Sequence, residues 1–185
     1  MEIVNNVIDA ILNNIESAKE YLDEESLNEF EDVLIQSDNI YLVGAGRSRL
    51  VAESFAMRLT YLAFSTYVVG ETISPAIREN DCLVAISGSG ETNTIVSAAK
   101  IAKGRGSKVL GITSYPESSL GMIADVVITV KGRINQEMDD ENYMKRQIHG
   151  NYTSLTPLGT AFELTALVIL DAIISEMTNR ISGCK

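Results

Sequence analysis

Residues 82–92 read CLVAISGSGET: an apolar run, Cys82–Ile86, that stops at Ser87-Gly88-Ser89-Gly90-Glu91-Thr92 with a helical stretch, 91–104, behind it. A short apolar run ending in small polar residues fits a strand buried on both faces. The texture recurs at Ile40-Tyr41-Leu42-Val43, stopping at Gly44, and at Thr66-Tyr67-Val68-Val69, stopping at Gly70. It returns at Val109-Leu110-Gly111-Ile112 and Val126-Val127-Ile128-Thr129-Val130. Helical stretches at 47–62 and 91–104 separate the first run from the second and the third from the fourth. Alternation of this kind implies βαβ units. The expected fold is α/β: a three-layer α/β/α sandwich around a five-stranded parallel, flavodoxin-like sheet.

Outward from these strands the chain is helical. Val4, Val7, Ile11, Ile15, Ala18 and Leu22 recur at helical spacing through 3–22. Ser26 and Glu29 read as a capping box that starts a second helix carrying Leu27, Phe30 and Leu34. Residues 1–37 are thus expected as a helical pair. The stretch 131–158 is polar, mixed in charge and aperiodic, a long loop or a lid. A last helix over 159–181 aligns Phe162, Ala166, Ile169, Leu170, Ile173 and Met177. With 185 residues the chain suits a single domain, and no repeat of helical-array length is visible.

Hydrophobic residues make up 45% and charged residues 22% of the chain, enough for a core without metal or disulfide staples. Fifteen Lys and Arg against 25 Asp and Glu give a net charge of -10. That charge argues against broad contact with nucleic acid or an anionic membrane, so an anionic ligand needs a local site. No apolar run reaches the ~18 residues of a membrane-spanning helix. The opening MEIVNNVIDA is acidic and periodic, so no signal peptide is expected. Cys82 in an apolar run and Cys184 at the tail fit a reducing, cytoplasmic setting.

Ser87–Thr92 carries the strongest chemical signal. Two glycines allow a tight turn and close backbone approach, and the following helix presents free N–H groups with its positive dipole end. Ser87, Ser89 and Thr92 add hydroxyls. Such a nest holds a phosphate monoester without net positive charge; the plainer reading is a serine cap with flexible glycines. It is not a Walker A loop, since no G-K-[ST] follows. Gly88-Ser89-Gly90 fits a nucleophile elbow only in part. Gly44-Ala45-Gly46-Arg47-Ser48-Arg49 begins like a dinucleotide fingerprint, with Glu71 placed for a ribose, but Arg49 replaces the third glycine. The other use of this turn is to complete a sugar site through Arg47 and Ser48. His149 is the one histidine, so zinc-ligand spacing is absent.

YLVGAGRS, FAMRL, VVGETISP, LVAISGSGET and SLTPLGTAFELTALVILDAI together resemble the sugar-isomerase (SIS) domain proteins, and within them the 6-phospho-3-hexuloisomerase group. The resemblance runs through 40–130 and 154–177. It implies a five-stranded parallel sheet, oligomers (a homotetramer) with sites between subunits, and no metal or organic cofactor. It further implies interconversion of D-arabino-hex-3-ulose 6-phosphate and fructose 6-phosphate. Carried over, the pattern gives the phosphate to Ser87, Gly88, Ser89 and Thr92, helped by Gly46, Arg47 and Ser48. Arg58 of FAMRL is implied near the substrate, and Glu163 of GTAFE as the base. MRLTYLA departs from the family's MRLMHLG: Tyr61 stands at the histidine position and Ala63 at the glycine, so that histidine's role is either unfilled or passes to Tyr61 or His149. Arg49 stands where many relatives have glycine.

Moving a carbonyl from C3 to C2 needs one carboxylate beside both carbons and a cation for the enediolate. Glu163 is the expected base, with Arg47 or Arg58 as the charge stabiliser. Thr160 to Glu163 is also a capping box, which would tie Glu163 to its own helix start. Glu71 is a rival base. Glu91, beside the proposed phosphate, reads as a helix-dipole residue. His149 is either catalytic or a solvated loop residue. Two other functions stay open: a non-catalytic sugar-phosphate sensor, although no DNA-binding helix-turn-helix or basic patch accompanies the domain, and an isomerase of a different sugar phosphate.

Overall fold

The computed structural model describes residues 1–132 and 159–183. His149, Cys184 and most of the expected loop or lid lie outside the described residues. Helix α1 (Glu2–Ala18) and helix α2 (Glu24–Gln36) lead into strand β1 (Ile40–Gly44). Helix α3 (Arg47–Tyr61), strands β2 (Thr66–Val68) and β3 (Cys82–Ile86), and helix α4 (Asn93–Gly104) follow. Strand β4 (Lys108–Thr113), helix α5 (Ser119–Ile123), strand β5 (Val126–Thr129) and helix α6 (Thr160–Gly183) complete the order.

All five strands are parallel, in the order β2-β1-β3-β4-β5. Their side chains alternate between two apolar layers, as a pleated strand requires. Ile40, Leu42, Val84, Ile86 and Ile112 face one way, against Phe30 and Leu34 of α2, Phe55 and Leu59 of α3, and Phe162, Ile169, Leu170 and Ile173 of α6. Tyr41, Val43, Leu83, Ala85 and Val109 face the other way, against Ile95, Ala99 and Ala102 of α4 and Leu120 of α5. This is the expected three-layer α/β/α sandwich with its N-terminal helical pair. Cys82 lies wholly inside it, where burial pushes its thiol up to about 12 despite a lowering hydrogen bond with Ser37.

Helix α1 is pinned through a buried amide. Asn14 Nδ2 donates to Thr165 Oγ1 at 2.8 Å and to the Lys131 carbonyl at 3.1 Å. That joins α1 to α6 and to the exit from β5.

Two local expectations need correction, and one short helix was not expected. Helix α2 does not start from a Ser26–Glu29 capping box. Asp23 is its N-cap, and the Asp23 carboxylate accepts from Ser26 N at 2.8 Å and Ser26 Oγ at 2.7 Å. The chain is extended at Leu22 and Asp23, and Glu24 and Glu25 then suit the positive first turn. Val4 is 55% exposed and leaves the inward stripe of α1, forming an outer row with Ile8 and Leu12. The short helix α5 follows Ser118, whose hydroxyl accepts from Gly121 N. Among the described residues, no helix is long and apolar enough to cross a membrane.

Candidate functional site

The strand order reverses direction between β1 and β3. From β1 the chain crosses through α3 to β2 on one side; from β3 it crosses through α4 to β4 on the other. Gly44 pairs in register with Ile86, so the turn after β1 and the turn after β3 leave from adjacent strand ends. Ligands of open parallel sheets bind in the crevice at such a switch point. The two glycine-rich turns singled out in the sequence are therefore neighbours.

Each turn leads straight into a helix. Gly46 is the N-cap of α3 at φ 58° and ψ -129°, a conformation reserved for glycine. Thr92 is the N-cap of α4, but its hydroxyl makes no capping bond. Thr92 Oγ1 lies 3.1 Å from Ser87 Oγ instead. Of the first-turn N–H groups of α4, Ile95 N already donates to the Thr92 carbonyl at 2.9 Å, which leaves those of Asn93 and Thr94 open to the loop at the positive end of the dipole. Within the loop, Gly90 N donates to the Ser87 carbonyl at 3.0 Å and to Ser87 Oγ at 3.2 Å, and Glu91 N donates to Ser89 Oγ at 3.2 Å. Ser87 is buried and Ser89 exposed, so the hydroxyls run from the floor of the cup to its rim.

The start of α6 forms the third wall. A Cβ on Gly88 would lie 3.2 Å from the Phe162 ring, and one on Gly132 only 2.6 Å from Phe162 Cβ. That packing sets Glu163, one residue on, over the mouth of the α3 turn. Its carboxylate accepts from Arg47 Nε and does not cap its own helix; its backbone N–H bonds to the Gly159 carbonyl. The capping-box alternative for this side chain is thereby corrected: Oε2 is spent on a residue of another helix. The Glu163 side chain is 11% exposed and the Arg47 side chain 53%. Burial pushes the Glu163 carboxyl above the ordinary range, while the Arg47 hydrogen bond and charge pull it back. The result is a largely buried carboxylate paired with a half-exposed guanidinium.

The remaining candidates are placed differently. Glu71 is paired with Arg49, which also bonds Glu53 at 2.7 Å. Arg49, the residue that breaks the dinucleotide pattern, thus fastens the turn after β2 to α3. Arg58 lies roughly 16 Å from Arg47 along α3, given the rise of an α-helix. It bonds Asp171 of α6 at 3.2 Å, with both side chains 45% exposed. The chain's own fold does not bring Arg58 to Glu163. Glu91 does not serve the dipole of α4: its oxygens accept from Ser119 N and Ser119 Oγ, each at 2.7 Å, at the start of α5. Sequence reasoning did not anticipate Ser119 or the ring of Phe162 as backing for the loop. Ser118, a hydroxyl residue two positions after a proline, was the available signal for a helix start. Among the described residues, no group of three His, Cys, Asp or Glu gathers as a metal site would require.

A glycine-rich loop of hydroxyls and N–H groups at the switch point of a parallel sheet, with a carboxylate–guanidinium pair beside it, defines a class. The chain belongs to the SIS domain family, whose sequence model matches residues 33–144. Both glycine-rich turns fall within the match; Glu163 follows it. The chain is 36% identical to a Bacillus subtilis protein named 3-hexulose-6-phosphate isomerase, over 92% of this chain and 86% of that one. It is 49% identical to an Aeropyrum pernix protein over 84% of this chain and 73% of that one. A crystal structure of a Methanococcus jannaschii protein, reported to infer a 3-hexulose-6-phosphate isomerase function, superposes with a TM-score of 0.75 at 33% identity, covering 95% of this chain and 90% of that one.

Proposed function

We propose that this chain is a sugar-phosphate isomerase that interconverts D-arabino-hex-3-ulose 6-phosphate and fructose 6-phosphate. The Glu163–Arg47 pair beside the Ser87–Thr92 cup carries the reading. The shared names of relatives such as the Bacillus subtilis protein support the choice of sugar. The phosphate sits on Ser87, Gly88, Ser89 and Thr92, with Gly46 and Ser48 at the facing turn. The sugar then runs from the cup toward Glu163.

The dianionic substrate competes with Glu163 for Arg47. As the guanidinium turns to the substrate oxygens, the carboxylate loses its partner within a dry wall and becomes a stronger base. Glu163 takes the proton from C2, and the electron pair forms the C2–C3 double bond of an enediolate. Arg47 stabilises the oxyanion. Passing the O2 hydroxyl proton to O3 and returning the carbon-bound proton to C3 leaves the carbonyl at C2. Proton and electrons both stay within the substrate–Glu163 pair, so the step needs neither an external oxidant nor a reductant. His149 is assigned the proton transfers of ring opening. Arg58 is assigned to a neighbouring subunit's site in a cytoplasmic homotetramer. Exposed Leu50, Met57 and Tyr61 on the outer side of α3 support that assembly.

The test is fructose 6-phosphate incubated with the protein in deuterated water and followed by NMR. A 3-ketose signal with deuterium entering at C2 or C3 is expected. Binding without exchange would sink the assignment and favour a sensor. A specific observation favours a second reading, an isomerase of another sugar phosphate: Tyr61, at the family's histidine position, is 73% exposed. Exchange with a different phosphorylated pentose or hexose, but not with fructose 6-phosphate, would establish it.

A further inference from the structure

A glycine-rich loop binds an anion well only if its N–H groups are already aimed before the ligand arrives. Ser87–Thr92 contains two glycines and would be loose on its own. The structure shows what holds it. Ser114 N donates to the Gly88 carbonyl at 3.1 Å, and Leu120 N donates to the Gly90 carbonyl at 3.0 Å. Gly90 has φ +66°, and a Cβ there would lie 1.8 Å from Ser118 Oγ, so the loop is pressed directly onto the start of α5. Glu91 completes the contact with both carboxylate oxygens on Ser119, 28 residues further along the chain. The Ser119 backbone N–H, and then its hydroxyl, hold the Glu91 carboxyl below the usual range against the small effect of burial.

We infer that Glu91 is the positioning residue of the ligand loop: by bracing on Ser119 it sets the cup and keeps its own charge turned onto α5. The inference rests on the reading of Ser87–Thr92 as the phosphate site. An ionised carboxylate next to that cup would otherwise repel a dianion. With both oxygens committed to Ser119, the same residue serves as a strut. Neither the chemistry at carbon nor the Arg47–Glu163 pair involves it.

Three variants test the inference: Glu91→Ala, Glu91→Gln and Ser119→Ala. The measurements are steady-state isomerisation of fructose 6-phosphate, inhibition and thermal protection by inorganic phosphate, and the melting temperature without ligand. In Glu91→Ala, KM and the phosphate inhibition constant rise together by about tenfold or more, the scale of a lost charged hydrogen bond, while kcat changes by less than about threefold. Glutamine accepts from Ser119 N through its carbonyl and donates to Ser119 Oγ through its amide. Glu91→Gln therefore stays within about threefold of wild type in both constants, and Ser119→Ala falls between the two. A Glu91→Ala protein with wild-type KM and phosphate constant overturns the inference, whatever its melting temperature. So does a Glu91→Gln protein as impaired as Glu91→Ala, since charge rather than bracing would then be at work. If Glu91→Ala does not fold, the order of the other two decides. Wild-type protein that neither turns over the sugar nor binds phosphate overturns the reading of the loop and this inference with it. Wild-type protein that does both, matched by Glu91→Ala, overturns the inference alone.

Discussion

Glu163 shows how much a single residue's role depends on contacts the sequence does not display. Its local spacing from Thr160 describes a capping box, and its partner Arg47 lies 116 residues away. The packing of Phe162 on Gly88 and of α6 on α3 brings the two together. Glu163→Gln is expected to lower kcat by about 10²–10⁴-fold, the range of a lost general base, with KM little changed. A stability effect of opposite sense should accompany that loss. The folded carboxyl is raised by burial, so its contribution to stability is full below the unfolded carboxyl range and is lost as pH rises through the folded value. At neutral pH Glu163→Gln should therefore melt no lower than wild type, because Arg47 is half-exposed and keeps water as a partner. The difference should vanish as the pH falls below the ordinary carboxyl range. Melting curves at two pH values check this, and a neutral-pH melting point well below wild type would contradict it.

Elements were more legible than residues where the signal was local. The strands announce themselves because both sheet faces are covered, which leaves continuous apolar runs with no polar alternation. Helix starts were harder. The spacing of Ser26 and Glu29 suggests one start, whereas the observed cap, Asp23, follows from the extended backbone at Leu22 and Asp23, which no spacing rule reports. Strand β5 carries a similar hidden device. Asp125 accepts from Val109 N at 2.8 Å and pairs with Lys103 Nζ at 2.6 Å, tying the entrance of β5 to β4 and α4. Burial pushes this carboxyl up, but Lys103, the Val109 N–H and Lys108 together outweigh it and hold it below the usual range. A depressed carboxyl contributes stability above its unfolded value and loses it as pH falls through the folded one. Asp125→Asn is expected to cost about 1–3 kcal/mol at neutral pH, the scale of a broken charged hydrogen bond. The gap to wild type should close in acid, as denaturant titrations at neutral and acidic pH would show.

At the scale of the whole molecule, the alternation of strands and helices was sufficient to read the layers, but which outer surfaces meet another chain was not readable. Amphipathic spacing put one apolar face on α1, whereas the folded helix has two. The second is the row Val4, Ile8 and Leu12, 55%, 50% and 57% exposed. Exposed apolar rows of this kind mark contact surfaces. Replacing all three by Glu is expected to reduce the mass measured by light scattering below that of the proposed tetramer, with the circular dichroism spectrum unchanged. An undiminished mass would place this row outside the interface. The pairing of β1 with β3 also reaches beyond architecture. These strands are neighbours in the sheet, yet α3 and β2 lie between them in the chain. Their meeting requires loop closure across an intervening unit, a slow class of event in folding. A chain that has formed only β1, α3 and β2 owns one helix start facing no second turn. Ligand competence is thus absent until the centre of the sheet has closed, so a half-folded chain holds no half-working site.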